Sequence, residues 1–138
     1  MDDSAADAGD VLVSVAEGVA VLTVDRPAVR NAISPATMDA LDAALDAVAD
    51  AAVLVIHGGG DRAFISGGDL KELAKIRSFD DAVAMAVRMR RLCDRIATFP
   101  APVIAALNGH ALGGGAEVAA LWVSDAHWAA ADALTAKS

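Results

Sequence analysis

Residues 102–117, P-V-I-A-A-L-N-G-H-A-L-G-G-G-A-E, run from an apolar segment into a glycine triplet and end at a single carboxylate, Glu117. The apolar segment predicts a buried strand, and helix is predicted to resume around Gly114. Residues 52–68 repeat this order, because an apolar run there leads through glycines to a helix start at Asp69. The sequence therefore predicts two strand–loop–helix units of the same kind.

The remaining segments also alternate between strands and helices. Residues 11–17 and 19–26 predict a β-hairpin that turns at Gly18. Ser34-Pro35 predicts the start of a helix, because serine is a good N-cap and proline fits the first helical position. A second helix is predicted over residues 79–98 from the spacing of its apolar residues. The order β-β-α-β-α-α-β-α predicts an α/β fold with covered strands.

Composition and charge argue against several classes of protein. The chain has 138 residues, a net charge of −8 and 4% aromatic residues, which argues against a nucleic-acid partner. A single cysteine, Cys93, allows no internal disulfide and fits a reducing compartment. The three histidines lack metal-ligand spacing, so we predict no metal site. Residues 96–116 lack charge but contain prolines and glycines, so we predict no membrane span and a cytoplasmic location.

The two glycine-rich loops allow more than one interpretation. A helix N-terminus presents unpaired N–H groups, and two such termini could converge on one oxygen as an oxyanion hole. Tight packing of the backbone is the other interpretation, and spacing alone does not decide between them. A Walker A phosphate loop ends in Gly-Lys-Ser/Thr, and neither glycine-rich loop has a lysine there. A dinucleotide-binding loop needs the spacing G-x-G-x-x-G, which residues 109–115 do not provide. A G-x-S-x-G elbow is absent, because Phe64 stands in the first glycine position before Ser66.

Four segments in register resemble the enoyl-CoA hydratase/isomerase (crotonase) family. They are D-R-P-A-V-R-N-A (25–32), A-F-I-S-G-G-D-L (63–70), P-V-I-A-A-L-N-G (102–109) and A-L-G-G-G-A-E (111–117). The resemblance covers residues 11–121. It implies an α/β fold built as a crotonase-like spiral of β-β-α turns, here in truncated form.

The resemblance also implies roles for individual residues. The N–H groups of Gly68 and Gly114 would form the oxyanion hole around a thioester carbonyl, and Glu117 would be the catalytic acid/base. Coenzyme A thioester would be the substrate, with no separate cofactor. Residues expected to line coenzyme A are Arg30, Ser66, Gly67, Asp69, Leu70 and Lys71. Taken by itself, Asp69 also fits a helix cap.

The resemblance is incomplete near the C-terminus. Hydratases of the family carry a second catalytic glutamate, and residues near Lys137 stand at that place here. We therefore divide the chain into a disordered acidic tail (1–10), a spiral core (11–121) and a divergent C-terminal tail (122–138). The family forms trimers, but a chain without the second half is not expected to keep that assembly unaided.

Three functional hypotheses follow from the sequence. The first is an acyl-CoA hydratase, isomerase or decarboxylase that uses Glu117 and a backbone oxyanion hole. The second is a truncated, catalytically incompetent fragment that binds coenzyme A or serves in an interaction. The third is a serine hydrolase that uses Ser66 with a histidine, which the absence of an acid–histidine pairing disfavours.

Overall fold

A computed structural model describes residues 6–7, 9–112 and 115–116, with the backbone alone described at 6–7. The strands are Ala6–Asp7 (β1), Val11–Ala16 (β2), Val19–Val24 (β3), Val53–Gly58 (β4), Ala63–Ile65 (β5), Val103–Ala106 (β6) and His110–Ala111 (β7). The helices are Pro35–Ala47 (α1), Leu70–Leu73 (α2) and Phe79–Ala97 (α3), with a 3₁₀ turn at Pro27–Val29. Residues 115–116 are also helical.

The described strands form two sheets. The larger sheet has the order β1-β2-β3-β4-β6, in which β1, β2 and β3 are antiparallel and β3, β4 and β6 are parallel. The hairpin turns at Glu17 and Gly18, both at positive φ, as in a type I′ turn. The smaller sheet pairs β5 with β7 in parallel.

The chain repeats a β-β-α turn. The first turn is β2-β3-α1, the second is β4-β5 followed by α2 and α3, and β6-β7 leads to the helical residues 115–116. From the second turn on, one strand joins the larger sheet and the next joins the smaller sheet. This is the predicted spiral of β-β-α turns.

Alternate residues of the larger sheet build the core. Leu22, Leu54 and Ile56 are fully or almost fully buried, together with Leu45 of α1 and Leu92 of α3. The two helices therefore cover one face of the sheet, as their apolar spacing predicts. Cys93 is buried in the same core, where its thiol packs as a small apolar side chain.

The first helix begins where the sequence predicts. The Ser34 hydroxyl accepts a hydrogen bond from the Thr37 N–H at 3.1 Å, and the Thr37 hydroxyl accepts one from the Ser34 N–H at 3.2 Å. This reciprocal pair is a capping box. Thr37 also donates to Asp10 at 2.8 Å, so the cap connects α1 to the segment before β2.

Two expectations need correction. The expectation of disorder over 1–10 is wrong for residues 6–7 and 9–10, because β1 pairs with β2 and the Asp10 carboxylate binds both Thr37 and Arg26. The strand over 102–107 is not covered on both faces, because β6 is half-buried and Ile104 is 44% exposed. Among the described strands, β6 is an edge strand and pairs only with β4.

Candidate functional site

The short sheet brings the two glycine-rich loops together. Ala63 of β5 pairs with His110 of β7, and the Leu112 N–H donates to the Ile65 carbonyl at 3.1 Å. Because the carboxyl ends of parallel strands lie at the same edge, the segments after β5 and β7 leave side by side. The family resemblance implied that these two loops meet, whereas the two short strands that bring them together were not predicted.

An isolated parallel bridge joins the loop after β5 to the segment before α1. The Ile33 N–H donates to the Gly67 carbonyl at 2.8 Å, and the Asp69 N–H donates to the Ile33 carbonyl at 2.9 Å. Peptide groups alternate in direction along such a bridge, so the N–H of Gly68 faces away from Ile33. Gly68 is exposed, whereas Gly67 and Asp69 on either side are buried.

Gly68 lies on an apolar cavity of about 360 Å³ between α1, α2 and α3. The floor of the cavity is the Gly67–Asp69 loop and Ile33. Its side walls carry Met38 from α1 and Met85 and Met89 from α3, so three of the chain's four methionines line it. A cavity of this size is at the lower end of the range for small-molecule sites.

Asp69 has a structural position beside this cavity. Its Oδ1 accepts the Lys71 N–H at 2.9 Å and thereby caps α2, and its Oδ2 accepts from Arg26 at 3.1 Å. Burial acts to raise the pKa of Asp69, but the hydrogen bonds from Arg26 and from the Lys71 and Glu72 amides outweigh it and hold the pKa below its usual value. The carboxylate is therefore ionised and already paired, which confirms the cap.

Two asparagines fix the loop between β4 and β5. Asn31 is buried at positive φ, and its amide donates to the Gly59 and Ala63 carbonyls at 2.9 Å each. From the other side, Asn108 donates to the Gly58 carbonyl at 2.8 Å and accepts the N–H of the same residue. Both residues lie within the family motifs, but the sequence did not predict their role. Asparagine's tolerance of left-handed backbone was the available signal at Asn31.

The other residues that were expected to line coenzyme A do not line the apolar cavity. Arg30 is exposed and lines a second cavity of about 220 Å³, together with Asp61 and Arg62. Leu70 and Lys71 are exposed on α2, and Ser66 is half-buried in the loop before it. None of these four lines the cavity at Gly68. Of the expected set, the structure brings Gly67, Gly68 and Asp69 together there.

The other half of the expected site lies outside the described residues. Gly114 and Glu117 are both in that undescribed part, so their predicted roles stay predictions. Gly115 is described, and a Cβ at this position would collide with the backbone carbonyl of Ile65. At least one glycine of the triplet therefore serves close packing, the interpretation that spacing had left open.

These features define an α/β protein with a β-β-α spiral and an apolar cavity at a glycine-rich loop. The family model for "Enoyl-CoA hydratase/isomerase" matches residues 14–137. A probable enoyl-CoA hydratase of Bacillus subtilis is 41% identical over 112 residues, 79% of this chain and 43% of that protein. The chain belongs to the enoyl-CoA hydratase/isomerase family.

Solved structures agree with this assignment. An enoyl-CoA hydratase from Mycobacterium smegmatis superimposes with a TM-score of 0.77 at 33% identity, covering 81% of this chain and 45% of that one. An enoyl-CoA hydratase from Bacillus anthracis gives the same TM-score at 30% identity and the same two coverages. The chain thus spans less than half the length of these relatives.

The family match extends further along the chain than the resemblance read from the sequence. It continues to residue 137, through the segment 122–138 that was expected to diverge. Within the described residues, no helix is both long and apolar enough to cross a bilayer. No group of three or more metal-ligating side chains is found in that same part of the chain.

Proposed function

We propose that this chain acts as an acyl-CoA enzyme, a hydratase or isomerase that stabilises a thioester enolate in a backbone oxyanion hole. The observation that carries the proposal is the N–H of the exposed Gly68, which faces away from Ile33 in a loop that lines an apolar cavity. A fixed backbone donor at such a site suits the oxygen on which negative charge develops. Family membership supports a thioester as the source of that oxygen.

The second donor of the proposed oxyanion hole is Gly114. The chain reaches it two residues after Leu112, whose N–H binds the Ile65 carbonyl, and Ile65 is three residues before Gly68. Two donors on one oxygen would hold the enolate. In isomerisation, Glu117 would take a proton from one substrate carbon and deliver it to another. In hydration, it would take a proton from the water that adds to the β-carbon, and the α-carbon of the enolate would then gain a proton. The thioester is the substrate, and this step needs no separate cofactor.

Arg30 is proposed to meet a different part of coenzyme A. Its cavity holds two arginines and one aspartate, and guanidinium groups bind phosphate oxygens well. Because this cavity and the one at Gly68 share no lining residue, Arg30 would contact the phosphates rather than the thioester.

The test compares wild type with Glu117→Gln. We expect both proteins to bind acetyl-CoA in calorimetry, and the variant to lose crotonyl-CoA hydration or 3-enoyl-CoA isomerisation by about 10²–10⁴-fold. Glu17→Gln is the control, because Glu17 is exposed in the hairpin turn and should leave turnover unchanged.

Each other outcome has a defined meaning. Turnover that survives Glu117→Gln contradicts the assigned acid/base. Thioester binding without turnover in wild type contradicts catalysis by this chain alone and returns it to a coenzyme A-binding fragment. Absence of binding contradicts the coenzyme A interpretation of the glycine-rich loops.

A further inference from the structure

We propose that Arg26 is a positioning residue that acts on the Gly68 N–H through a chain of two peptide groups. The inference rests on the proposed function, because it takes the Gly68 N–H as a donor to the thioester oxygen. It adds a side chain, outside the lining of the apolar cavity, that orients and polarises this donor.

The first observation is an unbroken series of hydrogen bonds from the guanidinium to Gly68. Arg26 Nη1 donates to the Ala32 carbonyl at 2.5 Å. The same peptide group carries the Ile33 N–H, which donates to the Gly67 carbonyl at 2.8 Å. That second peptide group carries the Gly68 N–H on its opposite side. A permanent positive charge therefore lies at one end of the series, and the proposed donor to the thioester lies at the other.

The hydrogen bonds of this series all point in the same direction. Each N–H donates to the carbonyl of the next peptide group, so each bond polarises the one that follows it. The Gly68 N–H at the end of the series becomes a stronger donor as a result. Negative charge that develops on the thioester oxygen would in turn strengthen every bond in the series. The effect of Arg26 is therefore largest in the transition state, where that charge is greatest.

The guanidinium is itself held in a fixed position. Its Nη2 donates to the Asp69 carboxylate at 3.1 Å, and its Nε lies 3.5 Å from an Asp10 oxygen. The Arg26 N–H donates to the Asn31 side-chain oxygen at 2.8 Å, and the Asn31 N–H donates to the Arg26 carbonyl at 2.9 Å. Because these contacts exist before a ligand binds, little reorganisation is needed when charge develops near Gly68.

The two carboxylates limit how far the charge of Arg26 acts through space. Asp10 and Asp69 bring two negative charges to one guanidinium, so these three side chains together offer no net positive charge to a distant anion. The influence of Arg26 on Gly68 therefore passes along the hydrogen bonds. This makes the contact with the Ala32 carbonyl the decisive one, and an experiment can separate it from the ion pair with Asp69.

The test measures the infrared carbonyl stretch of acetyl-CoA, labelled with carbon-13 at the thioester carbonyl and bound to the 138-residue chain. A hydrogen bond to this oxygen weakens the C=O bond and lowers its stretching frequency. Asp69→Asn removes the ion pair and leaves Arg26 on the Ala32 carbonyl. Arg26→Met/Asp69→Asn removes the guanidinium as well, without leaving a buried carboxylate unpaired at position 69. Arg90→Met is the control, because the Arg90 side chain is 79% exposed on α3.

We expect wild type and Arg90→Met to lower the frequency equally, and Asp69→Asn to keep the larger part of that shift. The double variant should lose at least about 20% of the shift that Asp69→Asn keeps, since two successive bonds each strengthen the next by about 10–30%. Circular dichroism and the affinity for coenzyme A establish that each variant is folded and binds. Arg26→Gln/Asp69→Asn keeps a polar side chain but no charge, and the same loss is expected of it if the methionine variant does not fold.

The outcomes separate this inference from the proposed function. A folded double variant that keeps the full shift of Asp69→Asn overturns the inference and leaves the proposed function standing. A shift already lost in Asp69→Asn would assign the effect to the ion pair and overturn the route through the peptide groups. Acetyl-CoA that binds wild type without any shift, or does not bind, contradicts the proposed function, and this inference fails with it.

Discussion

At the scale of single residues, glycines that look alike in the sequence serve different purposes. A Cβ at Gly115 would collide with backbone, whereas a Cβ at Gly68 would meet only the flexible end of Leu73, at 3.2 Å. Packing alone therefore explains why residue 115 is glycine, but it does not explain the exposed Gly68. Its bare backbone is consistent with a ligand that must approach the N–H closely. The sequence could not separate the two cases, because the contact with Ile65 depends on the pairing of β5 with β7.

Asp69 gives a prediction about acid stability. Its pKa is lower in the folded chain than the ordinary 3.8, so the ionised carboxylate stabilises the fold above that pH. This contribution is lost as the pH falls through the lowered pKa. Asp69→Asn keeps a capping oxygen but removes the charge that Arg26 binds. We expect the variant to be less stable than wild type near neutral pH, with a difference that shrinks as the pH falls below 3.8.

Urea unfolding at neutral pH and at several acidic values measures this difference. The remaining carboxylates titrate in both proteins, so subtraction isolates Asp69. A difference that stays constant across the pH range would show that the Arg26–Asp69 pair contributes nothing to the acid transition.

At the scale of elements, the long helices and strands were predictable and the short ones were not. The cap at Ser34 and the apolar spacing of α3 are local signals, so α1 begins where predicted and α3 matches the predicted range 79–98 within a residue. By contrast, β5 has three residues and β7 has two, which is too short for a periodic pattern. They form because the spiral places their backbones side by side, and this pairing joins residues that are far apart in the sequence.

The contacts of the arginines on α3 were likewise not predictable from the local sequence. Helical spacing reveals no partner for these side chains, yet Arg88 donates to the Pro35 carbonyl at 3.0 Å and pairs with Asp39. Further along, Arg95 binds the side chain and the carbonyl of Asp42 at 3.0 Å each and pairs with Asp46. These contacts hold α3 against α1, and both helices carry methionines of the apolar cavity.

We predict a modest coupling between Arg95 and Asp42. Both side chains are about 40% exposed, at 38% and 41%, so solvent and salt screen their attraction. A double-mutant cycle with Arg95→Gln and Asp42→Asn should give a coupling free energy of about 0.2–1 kcal/mol at low salt, and less in concentrated sodium chloride. Urea denaturation gives the free energy of unfolding of wild type, each single variant and the double variant. A coupling that does not respond to salt would show that packing, rather than charge, joins the helices at this point.

At the scale of the whole molecule, the sheet is covered unevenly. Helices α1 and α3 pack on one face of the larger sheet, whereas β6 is an edge strand among the described residues. Apolar side chains are exposed on this strand and in the loops after β6 and β7, where Ile104 is 44%, Leu107 57% and Leu112 60% exposed. The chain also covers only 43–45% of the relatives named above. In a longer relative, further chain is available to cover such a surface.

An exposed apolar edge strand promotes association, so we predict that the 138-residue chain self-associates as its concentration rises. Sedimentation velocity should show an average mass that increases above 13.9 kDa. Ile104→Lys places a charge on the edge strand and should shift this association to higher concentration. Val83→Lys is the matched control, since Val83 is 42% exposed but lies on α3, and it should associate like wild type. Equal effects of the two variants would attribute association to general surface hydrophobicity. A constant mass of 13.9 kDa at all concentrations would refute the predicted self-association.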